Sequence, residues 1–134
     1  MRVNTEAPIN RIKISNVIFV HPEDTMMKVE KIFETYSIHH ILVIQNDELL
    51  GLISKTDLLN LYKEYANQGK IPERNKITAA SFMTTKLVTL EGDDSIGLAA
   101  DIFLSNQFHS LPILENKKLK GIITNHDIIK YCFK

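Results

Sequence analysis

The chain repeats itself. Residues 12–59 align with residues 82–129 at a constant offset of 70, with no gap. Asp24/Asp94, Ile32/Ile102, Phe33/Phe103, His39/His109, Asn46/Asn116, Leu49/Leu119, Gly51/Gly121, Ile53/Ile123 and Asp57/Asp127 are identical pairs, and apolar positions answer apolar positions almost throughout. Chance alignments of this length rarely run without a gap, so the chain is a duplication. Its fold must then be built from two like units. One unit is too small to bury both its helix stripes and its sheet, so two are expected to share a core about a pseudo-twofold axis.

Each repeat reads β-α-β-β-α, an α/β (α+β) unit. In the first, Ile12 to Val20 is β-rich, and His21-Pro22-Glu23-Asp24 is a turn whose Asp24 or Thr25 caps the next helix. Met26, Val29, Phe33 and Tyr36 recur at helical spacing. Ile41-Leu42-Val43-Ile44 has no polar interruption and reads as a buried strand. Gln45 to Glu48 is a turn, and Leu49 to Ile53 returns as the second strand of a hairpin. A helix with Leu58, Leu59, Leu61, Tyr62 and Tyr65 follows from about Ser54. In the second repeat Phe82 to Leu90 answers Ile12 to Val20, Leu111 to Leu114 is the buried strand, Leu119 to Ile123 its return, and the last helix runs from about Thr124 to the end. The expected organisation is a loose tail over 1–10, repeat one over 11–68, a Gly/Pro-containing linker over 69–80 and repeat two over 81–134.

Two corners carry the chemistry. Gly51-Leu52-Ile53-Ser54-Lys55-Thr56-Asp57 returns as Gly121-Ile122-Ile123-Thr124-Asn125-His126-Asp127. Both run from β-formers into a hydroxyl and then an Asp where a helix starts. A helix N-terminus offers unpaired N–H groups and the positive end of a dipole, which suits a phosphate. A fixed carboxylate accepts from two neighbouring hydroxyls at once. The same residues are also S/T-x-x-D, a close relative of a capping box, and one Asp can serve both purposes.

Composition removes several classes of function. Lys plus Arg and Asp plus Glu each number 16, so no net charge draws nucleic acid or an acidic membrane. No apolar run approaches the roughly 20 residues of a membrane span, and the first ten residues hold no apolar signal core. The single cysteine, Cys132, excludes an internal disulfide and a cysteine-rich zinc site, and reads as a packing residue. His21, His39, His40, His109 and His126 show no His-x-x-x-His spacing, so no metal site is expected. There is no phosphate-binding glycine loop and no nucleophile elbow, so no enzymatic activity is expected. A soluble, cytoplasmic protein is the expectation.

At this point the residues resemble a family. Phe82-Met83-Thr84, His109-Ser110-Leu111-Pro112-Ile113 and the second corner, with His39-His40-Ile41-Leu42-Val43 and the first, are similar to a tandem pair of cystathionine-β-synthase (CBS) domains, a Bateman module, over about residues 11–132. The resemblance implies a regulatory module that binds AMP, ADP, ATP or S-adenosylmethionine in two clefts between the repeats and needs no other cofactor. It implies that the motif Asp accepts from the ribose hydroxyls and that the Ser or Thr sits near the phosphate. One site would then pair Ser54 and Asp57 with Thr84, Thr85, Leu87, Val88, Ser110, Leu111 and Pro112. The other would pair Thr124 and Asp127 with Ile14, Ser15, Val17, Ile18, His40, Ile41 and Leu42.

The two clefts are unequal. Repeat two keeps Met83-Thr84 and Pro112, where repeat one has Lys13-Ile14 and Leu42, so the Asp57 cleft is the one expected to be occupied. Lys55, Lys86 and Lys130 are candidates for a phosphate contact and read equally as solvated surface lysines. The family habit implies a homodimer formed through helices, and a chain of 134 residues leaves the effect to be exerted on an effector protein that the sequence does not name. The competing expectation is a structural dimerisation or interaction module with empty clefts.

Overall fold

The unbroken apolar run Ile41 to Ile44 lies within β2 (His40–Gln45), the central strand of a three-stranded sheet. Its antiparallel neighbour is β3 (Glu48–Ser54) and its parallel neighbour is β1 (Phe19–Val20). The hairpin turns on Asn46 and Asp47, with φ of 52° and 65°. Asn and Asp tolerate the left-handed region, and two such residues match the natural twist of a hairpin. The computed structural model describes residues 4–12 and 17–133. They form two compact units, one of residues 18–87 and one of the described residues before 18 and after 87.

In the first unit α1 (Met26–Thr35) connects β1 to β2, and α2 (Lys55–Asn67) follows β3. Thr25 caps α1 by accepting from Lys28 N at 3.2 Å, while the Asp24 carboxylate takes His21 N at 2.7 Å. Burial raises the Asp24 pKa, but the His21 N–H and the Lys28 ammonium outweigh it, and the net direction is down. A short helix, α3 (Ala79–Phe82), closes the unit. The core gathers Val20, Val29, Ile41, Val43, Ile53 and Ala79, with Phe33, Phe82 and Met83 against it.

The second unit repeats the plan. β4 (Leu90–Glu91), β5 (Ser110–Glu115) and β6 (Lys118–Thr124) form a second sheet in that order, with α4 (Ile96–Leu104) and α5 (Asn125–Cys132). Asn116 and Lys117 repeat the positive-φ hairpin, and Ser95 caps α4 at Leu98 N. A short 3-10 turn, Ile9–Arg11, belongs to this unit. Its core holds Ala7, Ile9, Ile12, Ile96, Phe103, Leu111, Ile113 and Ile123.

Two expectations are corrected. The leading strands, expected over 12–20 and 82–90, shrink to Phe19–Val20 and Leu90–Glu91. Phe82 ends a helix instead, and Thr84 forms an isolated bridge to Leu52 on the far edge of β3, so its backbone groups are spent away from β1. Residues 13–16 of the first expected strand lie outside the described residues. The stretch expected as a loose tail is held by backbone hydrogen bonds from residue 4 onward, and residues between the two repeats make backbone hydrogen bonds as well.

Holding is mutual in a particular way: each unit takes its leading segment from ahead of the other repeat. The first N–H groups of a helix have no partner within it. Met26 N donates to Ile77 O at 2.8 Å in one unit, and Ile96 N to Ala7 O at 2.9 Å in the other. Ala79 N reaches Asp24 O and Ala80 N reaches Pro22 O, as Ile9 N reaches Asp94 O and Asn10 N reaches Gly92 O. Each of these pairs keeps the offset of the repeat, so the duplication extends upstream of residue 12 where the side chains no longer show it.

One polar cluster ties the expected linker to α1 and α2. Glu30 on α1 accepts from the Tyr62 hydroxyl of α2 and, at 3.3 Å, from Arg74 Nη1. The bond to Glu30 is the main cause that raises the Tyr62 pKa above its ordinary 10.0. A raised pKa means that the folded chain favours the protonated phenol. The resulting stability is fully present below the unfolded pKa and is lost as pH rises through the higher folded value. Denaturant melts from about pH 8 to about pH 11 should therefore show an alkaline loss that Tyr62→Phe diminishes. An equal loss in Tyr62→Phe would remove this bond as its source.

Candidate functional site

The first corner is made where β3 stops and α2 starts. The Ser54 hydroxyl accepts from Asp57 N at 3.0 Å, and Asp57 Oδ2 accepts from Ser54 N at 2.8 Å. This is a reciprocal capping box, so the strand-to-helix turn and the carboxylate position are set together. A second donor comes from far along the chain. Thr84 Oγ1 lies 3.1 Å from Asp57 Oδ1 and 3.2 Å from Oδ2, so its hydroxyl donates to a fully anchored carboxylate.

Glycine makes that approach possible. Leu52 and Thr84 exchange backbone hydrogen bonds of 3.0 and 2.8 Å. This lays Met83 and Thr84 against β3. A Cβ on Gly51 would stand 2.5 Å from Met83 Sδ and 2.9 Å from the Thr84 carbonyl oxygen. Residue 51 must therefore lack a side chain for the segment to dock. Lys55, the first residue of α2, holds its ammonium 6.0 Å from the Phe33 ring centroid.

The second corner has the same box. Asp127 Oδ2 accepts from Thr124 N at 2.9 Å, and Thr124 Oγ1 accepts from Asp127 N at 3.1 Å. The residue that stands at Thr84's place in the repeat is Ile14, which has no hydroxyl and lies outside the described residues, as does Ser15.

The remaining expected site residues fall as follows. Thr85 is exposed and Leu87 half-buried in the unit that holds Asp57, with Ile18, His40, Ile41 and Leu42. Val88, Ser110, Leu111 and Pro112 belong to the unit that holds Asp127, with Val17. Within single units the structure thus joins Ser54, Asp57 and Thr84, and joins Thr124 with Asp127. Two backbone pairings add to these: His40 lies opposite Ser54, and Ser110 lies opposite Thr124. Ser110 is 5% exposed, and its hydroxyl finds no hydrogen-bond partner among the described residues. Lys86 and Lys130 are exposed. Among the described residues no cluster of His, Cys, Asp and Glu is placed to hold a metal ion, and no helix is long and apolar enough to cross a membrane.

Sequence reasoning identified Gly51, Met83 and Thr84 as motif residues but missed what they do for Asp57. The only signal available was that Thr84 follows a Met in one repeat while Ile14 follows a Lys in the other. The Glu30–Tyr62–Arg74 cluster was missed altogether, because Tyr62 sits on an apolar stripe that reads as packing.

Two consecutive β-α-β-β-α repeats with a hydroxyl-x-x-Asp corner at the end of each hairpin define a class, and comparison with known proteins gives the same one. The CBS domain model matches twice, at residues 9–64 and 79–134, and the chain belongs to that family. The uncharacterized protein MJ1225 of Methanocaldococcus jannaschii is 25% identical over 122 residues, covering 87% of this chain and 44% of that one. Its solved structure superposes with a TM-score of 0.86 at 22% identity, over 97% of this chain and 49% of that chain. CBSX2 in complex with AMP gives 0.80 at 20% identity, over 95% and 96%. The CBS domain pair of MJ0100, in complex with 5′-methylthioadenosine and S-adenosyl-L-methionine, gives 0.76 at 19%, also over 95% and 96%. At these identities the structural likeness establishes the fold. The chain spans less than half the length of the curated relatives it matches, 44%, 33% and 23% of three of them.

Proposed function

We propose that this chain is a regulatory module that senses an adenosine-containing ligand, AMP, ADP, ATP or S-adenosylmethionine, with Asp57 taking the ribose hydroxyls. The observation that carries the reading is the Asp57 carboxylate, held by Ser54 N and the Thr84 hydroxyl at the N-terminus of a thirteen-residue helix. A carboxylate has about four lone-pair sites, and these two donors leave room for both hydroxyls of a ribose. The α2 N-terminus supplies a favourable dipole end for a phosphate. Fold relatives solved with AMP and with S-adenosyl-L-methionine support the ligand class. The chain acts without catalysis, as a homodimer, and passes the signal to an effector protein.

One observation favours a second reading, a structural interaction module without a ligand. Both Asp57 and Asp127 are engaged in capping boxes, so each has a structural role already. A thermal-shift screen separates the two. A ligand that binds only the folded chain at a hundred times its dissociation constant stabilises by about 2.7 kcal/mol. The expected result is a raised melting temperature with at least one of AMP, ADP, ATP and S-adenosylmethionine. No shift with any of them at millimolar concentration leaves the interaction module.

A further inference from the structure

We infer that Thr84 is a positioning residue that makes the Asp57 corner selective for a ligand with two adjacent hydroxyls, and that the corner at Asp127 lacks this device. The inference rests on the adenosine reading above and adds the residue that determines which sugar is accepted.

The reasoning starts from how freely a carboxylate turns. The terminal torsion of an Asp side chain has broad, shallow preferences, so one hydrogen bond leaves the second oxygen poorly placed. Asp57 has two anchors on different elements. Ser54 N holds Oδ2 from the strand end, and the Thr84 hydroxyl, 27 residues away, spans Oδ1 and Oδ2 from the docked segment. The plane of the carboxylate is thereby set, with lone pairs on both oxygens left for a pair of donors. Two donors on neighbouring carbons match such a plane, whereas a deoxy sugar leaves one acceptor unused.

Apart from its bond to Asp57, Thr84 is docked through its backbone. Its N–H and C=O pair with Leu52, and the bare Gly51 beside it lets the segment come close. The hydroxyl is exposed and is not needed for that docking, so its removal tests orientation rather than folding. In the other repeat the residue that answers Thr84 in the sequence is Ile14, whose side chain carries no hydroxyl, so the sequence offers Asp127 no threonine at that position.

Calorimetric titration of the full chain with AMP and with 2′-deoxy-AMP provides the test, using wild type, Thr84→Val and Thr84→Ser. Wild type should prefer AMP by about tenfold or more, the worth of one hydrogen bond to a charged group. Thr84→Val should lower that preference to about threefold or less, and Thr84→Ser, which restores the hydroxyl, should recover it. A purely structural role would weaken both nucleotides alike and keep the ratio. AMP binding with an unchanged ratio in Thr84→Val overturns the role of Thr84 and leaves the adenosine reading standing. Absence of binding by wild type to either nucleotide overturns the inference, and the adenosine reading falls with it only where ADP, ATP and S-adenosylmethionine also give no thermal shift.

Discussion

Asp57→Ala is expected to abolish the stabilisation by adenosine ligands that we propose, and Asp127→Ala to leave most of it intact. The expected loss is large because, in the proposed function, Asp57 contributes the anion to which two ribose hydroxyls donate. A hydrogen bond to a charged group is worth about 1.5–3 kcal/mol, so losing two weakens binding by about a hundredfold or more. Both variants also lose a capping interaction, since Asp57 accepts from Ser54 N as Asp127 accepts from Thr124 N. That costs about 1 kcal/mol in each and lowers the ligand-free melting temperature of both. Asp127→Ala is thus a matched control for the cap, and the difference between the two ligand-dependent shifts isolates the binding role. Equal loss of the shift in both variants would contradict the inequality of the corners. A full shift in Asp57→Ala would remove Asp57 from the site.

The largest effect on stability is expected from Ile53→Ala. Ile53 is fully buried, one residue before the Ser54 corner, and packs with Val20, Val29, Ile41, Val43 and Ala79. Truncating a buried Ile costs about 2–5 kcal/mol, by lost transfer energy and by the cavity left behind. Native domains are stable by only about 5–15 kcal/mol, so a substantial share of the total is at stake. Urea unfolding should show the midpoint fall with little change in slope. Ile123→Ala, at the same place in the other repeat and also fully buried, should behave alike. A loss below about 1 kcal/mol in Ile53→Ala would mean that the site collapses around the smaller side chain, contrary to the close packing of interiors.

Much of this molecule was legible before any coordinates. The hairpins were readable because a polar pair, Asn46-Asp47 or Asn116-Lys117, separates two apolar runs, although the register shift in each hairpin, at Val43/Ile44 and at Ile113/Leu114, was not. The corners were readable because a hydroxyl followed three residues later by an Asp is a local signature, and both bonds of the box span only three residues. The leading strands were misjudged for the opposite reason. Phe82 to Leu90 is rich in β-formers, but strand length depends on how much of a partner's edge is offered, and on its β4 side β5 pairs with Leu90 and Glu91 alone. The tail was misjudged because what holds it is backbone: the carbonyls of Ala7 and Thr5 receive Ile96 N and Gly97 N, and any residue carries a carbonyl.

The sequence by itself determined that there are two repeats, that each carries a helix-starting Asp, and that their Thr84 and Ile14 positions differ. These follow from residue identity and short spacing. Only the tertiary structure decided that Thr84 meets Asp57 and that Arg74 and Tyr62 meet on Glu30. It alone decided that each leading segment packs with the repeat it does not precede. Those pairings join residues 27, 44 and 32 positions apart. Contacts at such separations are selected by burial and by the need to satisfy backbone groups at helix ends, which act on the folded chain as a whole and leave no local pattern in the order of residues.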